Sequence, residues 1–258
     1  MAAYLRHMAD EAFRHPRLAK LYDPLTSERS DLRAYFDLVH KLEAQHVLDI
    51  GCGTGAFALL LADRGMTVVG LDPAQASIDV ATSKPGSARV QWICGDASAL
   101  PPLHVDLATM TANVAQEITD PEAWQATLHG AYNTLRPGGH LVFETRDPAQ
   151  RAWDTWNREA SEQVTELPGI GAVETWVELL RVDGPLVRFR SHYAFAADGQ
   201  VLTSESTLRF RERHEVEQDL AANGFRVDDV RDAPDRPGKE FVFIASRPQN
   251  DSLRTQAD

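Results

Sequence analysis

The sequence is short of cysteine, of basic charge and of long apolar runs, and each shortage removes a class of protein. Two cysteines, Cys52 and Cys94, in 258 residues are too few for a disulfide scaffold. Lys and Arg number 26 against 38 Asp and Glu, a formal net charge of −12 at pH 7. A phosphate backbone is bound by neutralising it with Lys and Arg. This balance therefore argues against nucleic acid or an anionic membrane as partner, unless a local basic patch overrides it. No apolar run approaches the ~20 residues that span a bilayer. Arg6, His7, Asp10 and Glu11 interrupt the stretch a secretory signal would need, so a cytoplasmic protein is expected. The nine histidines show no metal-site spacing, and no metal is expected. What is present is ordinary globular composition, 43% hydrophobic and 25% charged, in a chain long enough for one large domain or a domain with an elaboration.

The pattern of elements predicts an α/β chain. Residues 1–40 read as interrupted helix, broken at Pro16 and Pro24, with a clear apolar face (Leu32, Tyr35, Phe36, Val39) over 31–41. Strands are expected at 46–50, 67–71, 90–94, 105–111 and 140–145. Helices fall between them at 56–64, 74–83 and from Asp120-Pro121 onward, the last opened by a cap and a first-turn proline. Strands alternating with helices in this way imply a parallel sheet covered on both faces. Past residue 148 the style changes. A helix is expected over 149–164, bearing Trp153 and Trp156, then strands at 173–182, 186–195 and 201–210 joined by tight turns at Asp183-Gly-Pro185 and Asp198-Gly199. A helix at 213–223 and strands at 225–230 and 240–246 follow, then a frayed tail at 249–258.

The strongest local signal is the strand, Gly-rich turn and helix between Val47 and Arg64. Glycines let backbone approach a ligand closely, and the following helix offers unpaired N–H groups and a positive dipole end. Asp72 closes the next strand, a placement suited to a carboxylate accepting two ribose hydroxyls. Gly51-Cys-Gly53-Thr-Gly55-Ala56 also satisfies the relaxed dinucleotide pattern, and a tight turn without a ligand is the plain alternative. Asp49 lies inside the first strand, where it would repel a pyrophosphate and attract an ammonium. Gly95-Asp96-Ala97 brings a second carboxylate to the same sheet edge, and Leu135-Arg-Pro-Gly-Gly139 precedes strand five.

In these four segments, in this order, the sequence resembles the class I S-adenosylmethionine-dependent methyltransferases over about residues 40–148. The resemblance implies a Rossmann-like, doubly wound seven-stranded sheet whose last strand is antiparallel, with the meander inserted as a lid. It divides the chain into residues 1–148, holding the N-terminal helices and cofactor core, an insert at 149–210, a return to the core sheet at 211–248, and a flexible tail at 249–258. It implies S-adenosyl-L-methionine as cofactor. Asp49 and the turn Gly51, Cys52, Gly53 and Gly55 would hold the methionine moiety, Asp72 with Pro73 the ribose, and Asp96 with Ala97 the adenine. Thr111 and Asn113 would close over the methionine tail. Tyr22 would touch its carboxylate, or else serve as a core aromatic. Ile78 stands where relatives carry a Met or Leu near the adenine.

The implied function is methyl transfer to a small-molecule acceptor. Alternatives are a protein that binds S-adenosylmethionine without transferring from it, or an NAD-dependent oxidoreductase. Methyl transfer from a sulfonium is an in-line displacement in which the protein mainly aligns the reactants. A base is needed only for a protonated nucleophile, so no catalytic residue is assigned. Glu144 and Arg146, at the end of strand five, are candidate substrate residues, the arginine as a fork for a carboxylate. The competing reading is a structural ion pair. Arg188, Arg190 and His192 share one face of the meander and read either as a basic wall or as a solvated face.

Overall fold

The computed structural model describes residues 9–26, 31–97 and 100–249. Four helices come first, α1 (Glu11–Arg14), α2 (Pro16–Ala19), α3 (Tyr22–Leu25) and α4 (Asp31–Lys41). The core then runs β1 (His46–Ile50), α5 (Ala56–Asp63), β2 (Thr67–Asp72), α6 (Gln75–Ser83), β3 (Val90–Cys94), β4 (Val105–Met110), α7 (Val114–Glu117), α8 (Pro121–Thr134) and β5 (Leu135–Arg146). After it come α9 (Arg158–Ser161), β6 (Gln163–Leu167), β7 (Gly171–Asp183), β8 (Leu186–Phe195) and β9 (Val201–Arg209). The chain closes with α10 (Arg213–Ala222), β10 (Arg226–Asp232) and β11 (Glu240–Ser246).

Seven strands form one sheet in the order β10-β11-β5-β4-β1-β2-β3. β1 to β5 pair in parallel, and β11 runs antiparallel to both β5 and β10. This is the doubly wound arrangement expected from the alternation of elements. Successive residues of a strand point to opposite faces, and both faces here are apolar. Val47 meets α4 and α5 through Tyr35, Val39, Phe57 and Leu61. Leu48 and Ile50 meet α8 and α10 through Trp124, Leu128, Val216 and Leu220. Phe143 and Phe243, both wholly buried, stack at 5.2 Å across the β5–β11 pair. The cap expected at Asp120 forms, its carboxylate accepting from Ala123 N at 2.8 Å.

The second sheet, β6-β7-β8-β9, is antiparallel throughout. It has one strand more than the sequence predicts, because 149–164 is not a helix. Two 3-10 turns, Pro148–Gln150 and Ala152–Thr155, and the one-turn α9 occupy most of it, and β6 takes the rest. Local side chains outcompete the helix. Asp147 accepts from Ala149 N, Arg151 adopts a left-handed φ of 44°, and Asn157 caps α9 through Ala160 N. Trp153 and Trp156, spaced as on a helix, instead fold onto Phe210 and Phe189 at 4.6 and 4.7 Å. Two further differences are smaller. β5 starts at Leu135 and runs through the expected Pro137–Gly139 turn, and the short α7 after β4 has no counterpart in the sequence reading. Of the expected tail only Gln249 lies within the described residues. Among those residues, no helix is long and apolar enough to cross a membrane.

Candidate functional site

The Gly-rich turn leaves β1 at the carboxyl edge of the parallel sheet, where open α/β sheets carry their ligands. Gly51 N and Cys52 N both donate to Leu71 O, at 2.8 and 3.0 Å, which fastens the turn to the end of β2. Gly53 has φ +53°, and a Cβ placed there would meet no heavy atom within 4 Å. The glycine thus holds a left-handed backbone at an open position, as a turn cradling a ligand requires. Gly53 N donates to Asp72 Oδ2 and Ala74 N to Asp72 Oδ1, each at 2.8 Å. Asp72 is 7% exposed, and burial pushes its carboxyl up while the two N–H bonds pull it down. A carboxylate accepting one bond per oxygen retains lone pairs for further donors.

The other expected residues gather around this pair. Asp49 is buried in β1 and accepts from Thr109 Oγ1 at 3.0 Å, its register partner on β4. Gly95 N donates to Asp72 O at 3.0 Å, which brings the loop of Asp96 and Ala97 to the same edge. Asp96 is exposed and Ala97 buried. Pro73 is exposed beside Asp72, and Ile78 is buried on α6. The Cys52 thiol is buried in the turn, and burial pushes it well up, so it stays protonated.

An N-terminal strap crosses this edge, held by contacts that the sequence reading did not foresee. Thr54, inside the turn, donates to Asp23 Oδ1 at 2.6 Å. Lys84 Nζ lies 2.6 Å from both Asp23 Oδ2 and Thr54 O. Ser77 on α6 donates to Phe13 O at 3.1 Å, and Ala12 N donates to Ser204 Oγ of β9 at 2.8 Å. Leu18 and Leu21 are buried against Leu167, Val173 and Phe195 of the second sheet. The strap therefore ties that sheet to the glycine turn. These partners are 30 to 192 residues apart in sequence, a separation that no local pattern reveals.

A cavity of about 530 Å³ opens beside the end of β4, between the strap and the ends of β5 and β11. Tyr22 and Asn113 line it, as do Glu144 and Arg146. Ala112 and Asn113 both hold φ near +60°, a conformation that costs a residue with a Cβ roughly 1–2 kcal/mol. The reason is visible: Asn113 N donates to Glu144 Oε1 at 2.7 Å, and Tyr35 OH donates to Glu144 Oε2. Asn113 Nδ2 donates to Glu240 Oε1 at 3.2 Å. Arg146 turns to Glu240 at 3.6 Å and to Gln116 Oε1 at 3.3 Å, while Arg236 meets Glu240 at 2.6 Å. Burial pushes the Glu144 carboxyl up to about 7, against the lowering effect of its two hydrogen bonds. Tyr35, Gln116, Arg236 and Glu240 were missed by the sequence reading, since each reaches the site from a separate element. Two buried amide atoms here, Asn113 Oδ1 and Gln116 Nε2, have no hydrogen-bond partner. Unmet buried donors and acceptors are expensive, and Asn113 Oδ1 is the one of the two on a residue that lines the cavity.

The outer face of the second sheet is not a basic wall. Arg188 and Arg190 pair with Glu205, and Arg190 and His192 with Glu178, across neighbouring strands. Trp153 is 7% exposed and acts as a packing anchor.

Residues 47–139 match a family model described as a methyltransferase domain. The chain is 31% identical over 147 residues to the Cypemycin N-terminal methyltransferase of a Streptomyces species, covering 55% of this chain and 60% of that protein. It is 32% identical over 123 residues to the Malonyl-[acyl-carrier protein] O-methyltransferase of Serratia marcescens, covering 46% of each. The match thus spans less than two thirds of either relative's length. In fold, it is similar to a S-adenosylmethionine-dependent methyltransferase of Clostridium acetobutylicum, with a TM-score of 0.74 over 91% of this chain and 99% of that one, at 17% identity. Residues 47–139 thus resemble a methyltransferase domain, and the sheet order and TM-score give the chain the fold of the S-adenosylmethionine-dependent methyltransferases.

Proposed function

We propose that this chain transfers a methyl group from S-adenosylmethionine to a small-molecule acceptor held in the cavity beside β4. The observation that carries the reading is the meeting of three features at one sheet edge. These are the open, left-handed Gly53, the Asp72 carboxylate bonded to it at 2.8 Å, and the buried Asp49 on the adjoining strand. When bound, S-adenosylmethionine supplies a methyl already activated on a sulfonium. The chain's own task is to bind, align and keep water away.

Asp72 accepts the ribose hydroxyls while the N–H groups of Gly53 and Ala74 hold its carboxylate still. Asp49 attracts the amino group of the methionine end, its orientation supported by Thr109. Asp96 and Ala97 take the adenine, and the Gly51–Gly55 turn, Thr111, Asn113 and Tyr22 enclose the methionine tail. The N-terminal strap and the second sheet wall off the site, with 149–210 acting as the substrate-side insert and 211–248 as the return to the core. The relatives include one named for an N-terminal amine and one for an oxygen. A cavity of about 530 Å³ suits a small acceptor or the end of a longer one.

Calorimetry with S-adenosylmethionine, S-adenosylhomocysteine and NAD tests the reading. Binding of the first two and not the third is expected. NAD binding alone would overturn it. Release of S-adenosylhomocysteine in an acceptor screen separates a transferase from a protein that only binds.

A further inference from the structure

The cavity beside β4 has an uneven charge. Among the described residues, Asp31, Glu144, Asp235 and Glu240 line it against only Arg146 and Arg236. Both guanidiniums are turned to one carboxylate, Glu240, at 3.6 and 2.6 Å. An acceptor bearing a carboxylate would have to compete with Glu240 for them and would add negative charge to a wall already in excess. An acceptor bearing a cation lowers that excess, and inside a partly closed cavity the attraction is only weakly screened.

The hydrogen-bond inventory points the same way. Asn113 is 5% exposed, lines the cavity, and its Oδ1 has no partner. Its orientation is set by Nδ2, which donates to the Glu240 carboxylate, since swapping the amide would bring two acceptors together. The unmet group is therefore an acceptor, and it calls for an N–H or O–H donor on the ligand. Each Glu144 oxygen accepts one bond, from Tyr35 and from Asn113 N, and retains a lone pair.

We propose that the acceptor is an amine, drawn in as its ammonium by this acidic wall and the Asn113 carbonyl, and that Glu144 receives its proton. The inference rests on the methyl-transfer reading above. The step balances. The ammonium gives one proton to the Glu144 carboxylate, and the freed nitrogen lone pair forms the N–CH3 bond. The C–S bond breaks with its electron pair on sulfur, leaving S-adenosylhomocysteine and a methylated ammonium. Glu144 returns the proton to solvent. Its carboxyl, held near 7 by burial, is suited to exchange a proton near neutral pH.

The test is calorimetry on protein saturated with S-adenosylhomocysteine, using matched ligands. One series is glucosamine, glucose and glucuronate, and the other cyclohexylamine, cyclohexanol and cyclohexanecarboxylate. The amine should bind at least tenfold tighter than its neutral and acidic counterparts in at least one series. In Asp235→Asn that preference should shrink severalfold, with the loss confined to the amine. If the amine binds no tighter than the alcohol or the carboxylate in both series, including no measurable binding of any, the proposal falls. For the amine accepted best, transfer of a trideuteromethyl group should appear on nitrogen by mass spectrometry. The acidic limb of the kcat/KM profile should vanish in Glu144→Gln, and an unchanged limb would remove Glu144 from the role. Failure to saturate with S-adenosylhomocysteine would instead bring down the methyl-transfer reading itself.

Discussion

The Thr54 hydroxyl, in the middle of the glycine turn, donates to the Asp23 carboxylate of the N-terminal strap at 2.6 Å. Asp23 also meets Lys84 at 2.6 Å, so one strap residue fastens both the turn and the end of α6. Asp23→Ala should cost about 1 kcal/mol of stability, since the partly exposed carboxylate loses one hydroxyl hydrogen bond and one ion pair. Its affinity for S-adenosylhomocysteine should fall several-fold, because the turn loses its outer support. Calorimetry beside a thermal melt separates the two effects.

Asp72→Ala should weaken S-adenosylmethionine binding by about 10- to 100-fold, as ligand hydroxyls and the N–H groups of Gly53 and Ala74 lose their acceptor. Unchanged affinity in this variant would show that the ribose does not sit on Asp72.

Glu144 should make stability fall as pH rises. Its folded carboxyl lies near 7 because of burial, opposed by bonds from Tyr35 and Asn113 and reinforced by Glu240 and Asp31. A raised carboxyl favours the folded state fully below the ordinary value near 4.5, and that stability is lost as pH climbs through the folded value near 7. The change is on the order of 3 kcal/mol. Glu117, pushed by burial and by Asp10 and Asp72 to about 8, acts in the same direction over a slightly wider window. Thermal midpoints measured from pH 4.5 to 8 should decline in the parent protein and decline less steeply in Glu144→Gln, where Glu117 still acts.

Leu21→Ala should cost about 2–5 kcal/mol, because Leu21 is 1% exposed and fills the seam between strap and second sheet. Loss of the seam should also make the strap more sensitive to limited proteolysis. A change of stability within error would mean that the strap is not packed as described.

Arg188→Ala and Arg190→Ala should leave kcat/KM within about twofold for any acceptor. These arginines answer Glu205 and Glu178 across neighbouring strands and are not among the residues that line the cavity. A large rise in KM for an anionic acceptor would restore the basic-wall reading.

Local order in this chain was readable because it rests on short-range rules. Alternating apolar segments defined a parallel sheet covered on both faces, Pro121 after Asp120 announced a helix start, and three glycines with a following acidic strand end marked the turn proposed to hold the cofactor. The failure at 149–164 came from the same source. Trp153 and Trp156 mimic a helical stripe, but Arg151 in a left-handed conformation and the caps at Asp147 and Asn157 break it, and β6 forms only because β7 offers it an edge. Periodicity reports the spacing of apolar groups and not the partner that will bury them.

The sequence by itself determined the fold class and carried the methyltransferase resemblance of residues 47–139, and it singled out Asp49, Asp72 and the glycine turn as candidates. The tertiary structure alone decided the rest of the site. It turned Glu144 to Tyr35 and Asn113, and Arg146 to Glu240, instead of leaving either a simple pair or a free fork. It made the meander's arginines an ion-pair ladder, and it laid the strap across the turn. The physical reason is one and the same. Hydrogen bonds and charges act over a few ångströms, and those ångströms join residues up to 192 positions apart only after the chain has folded.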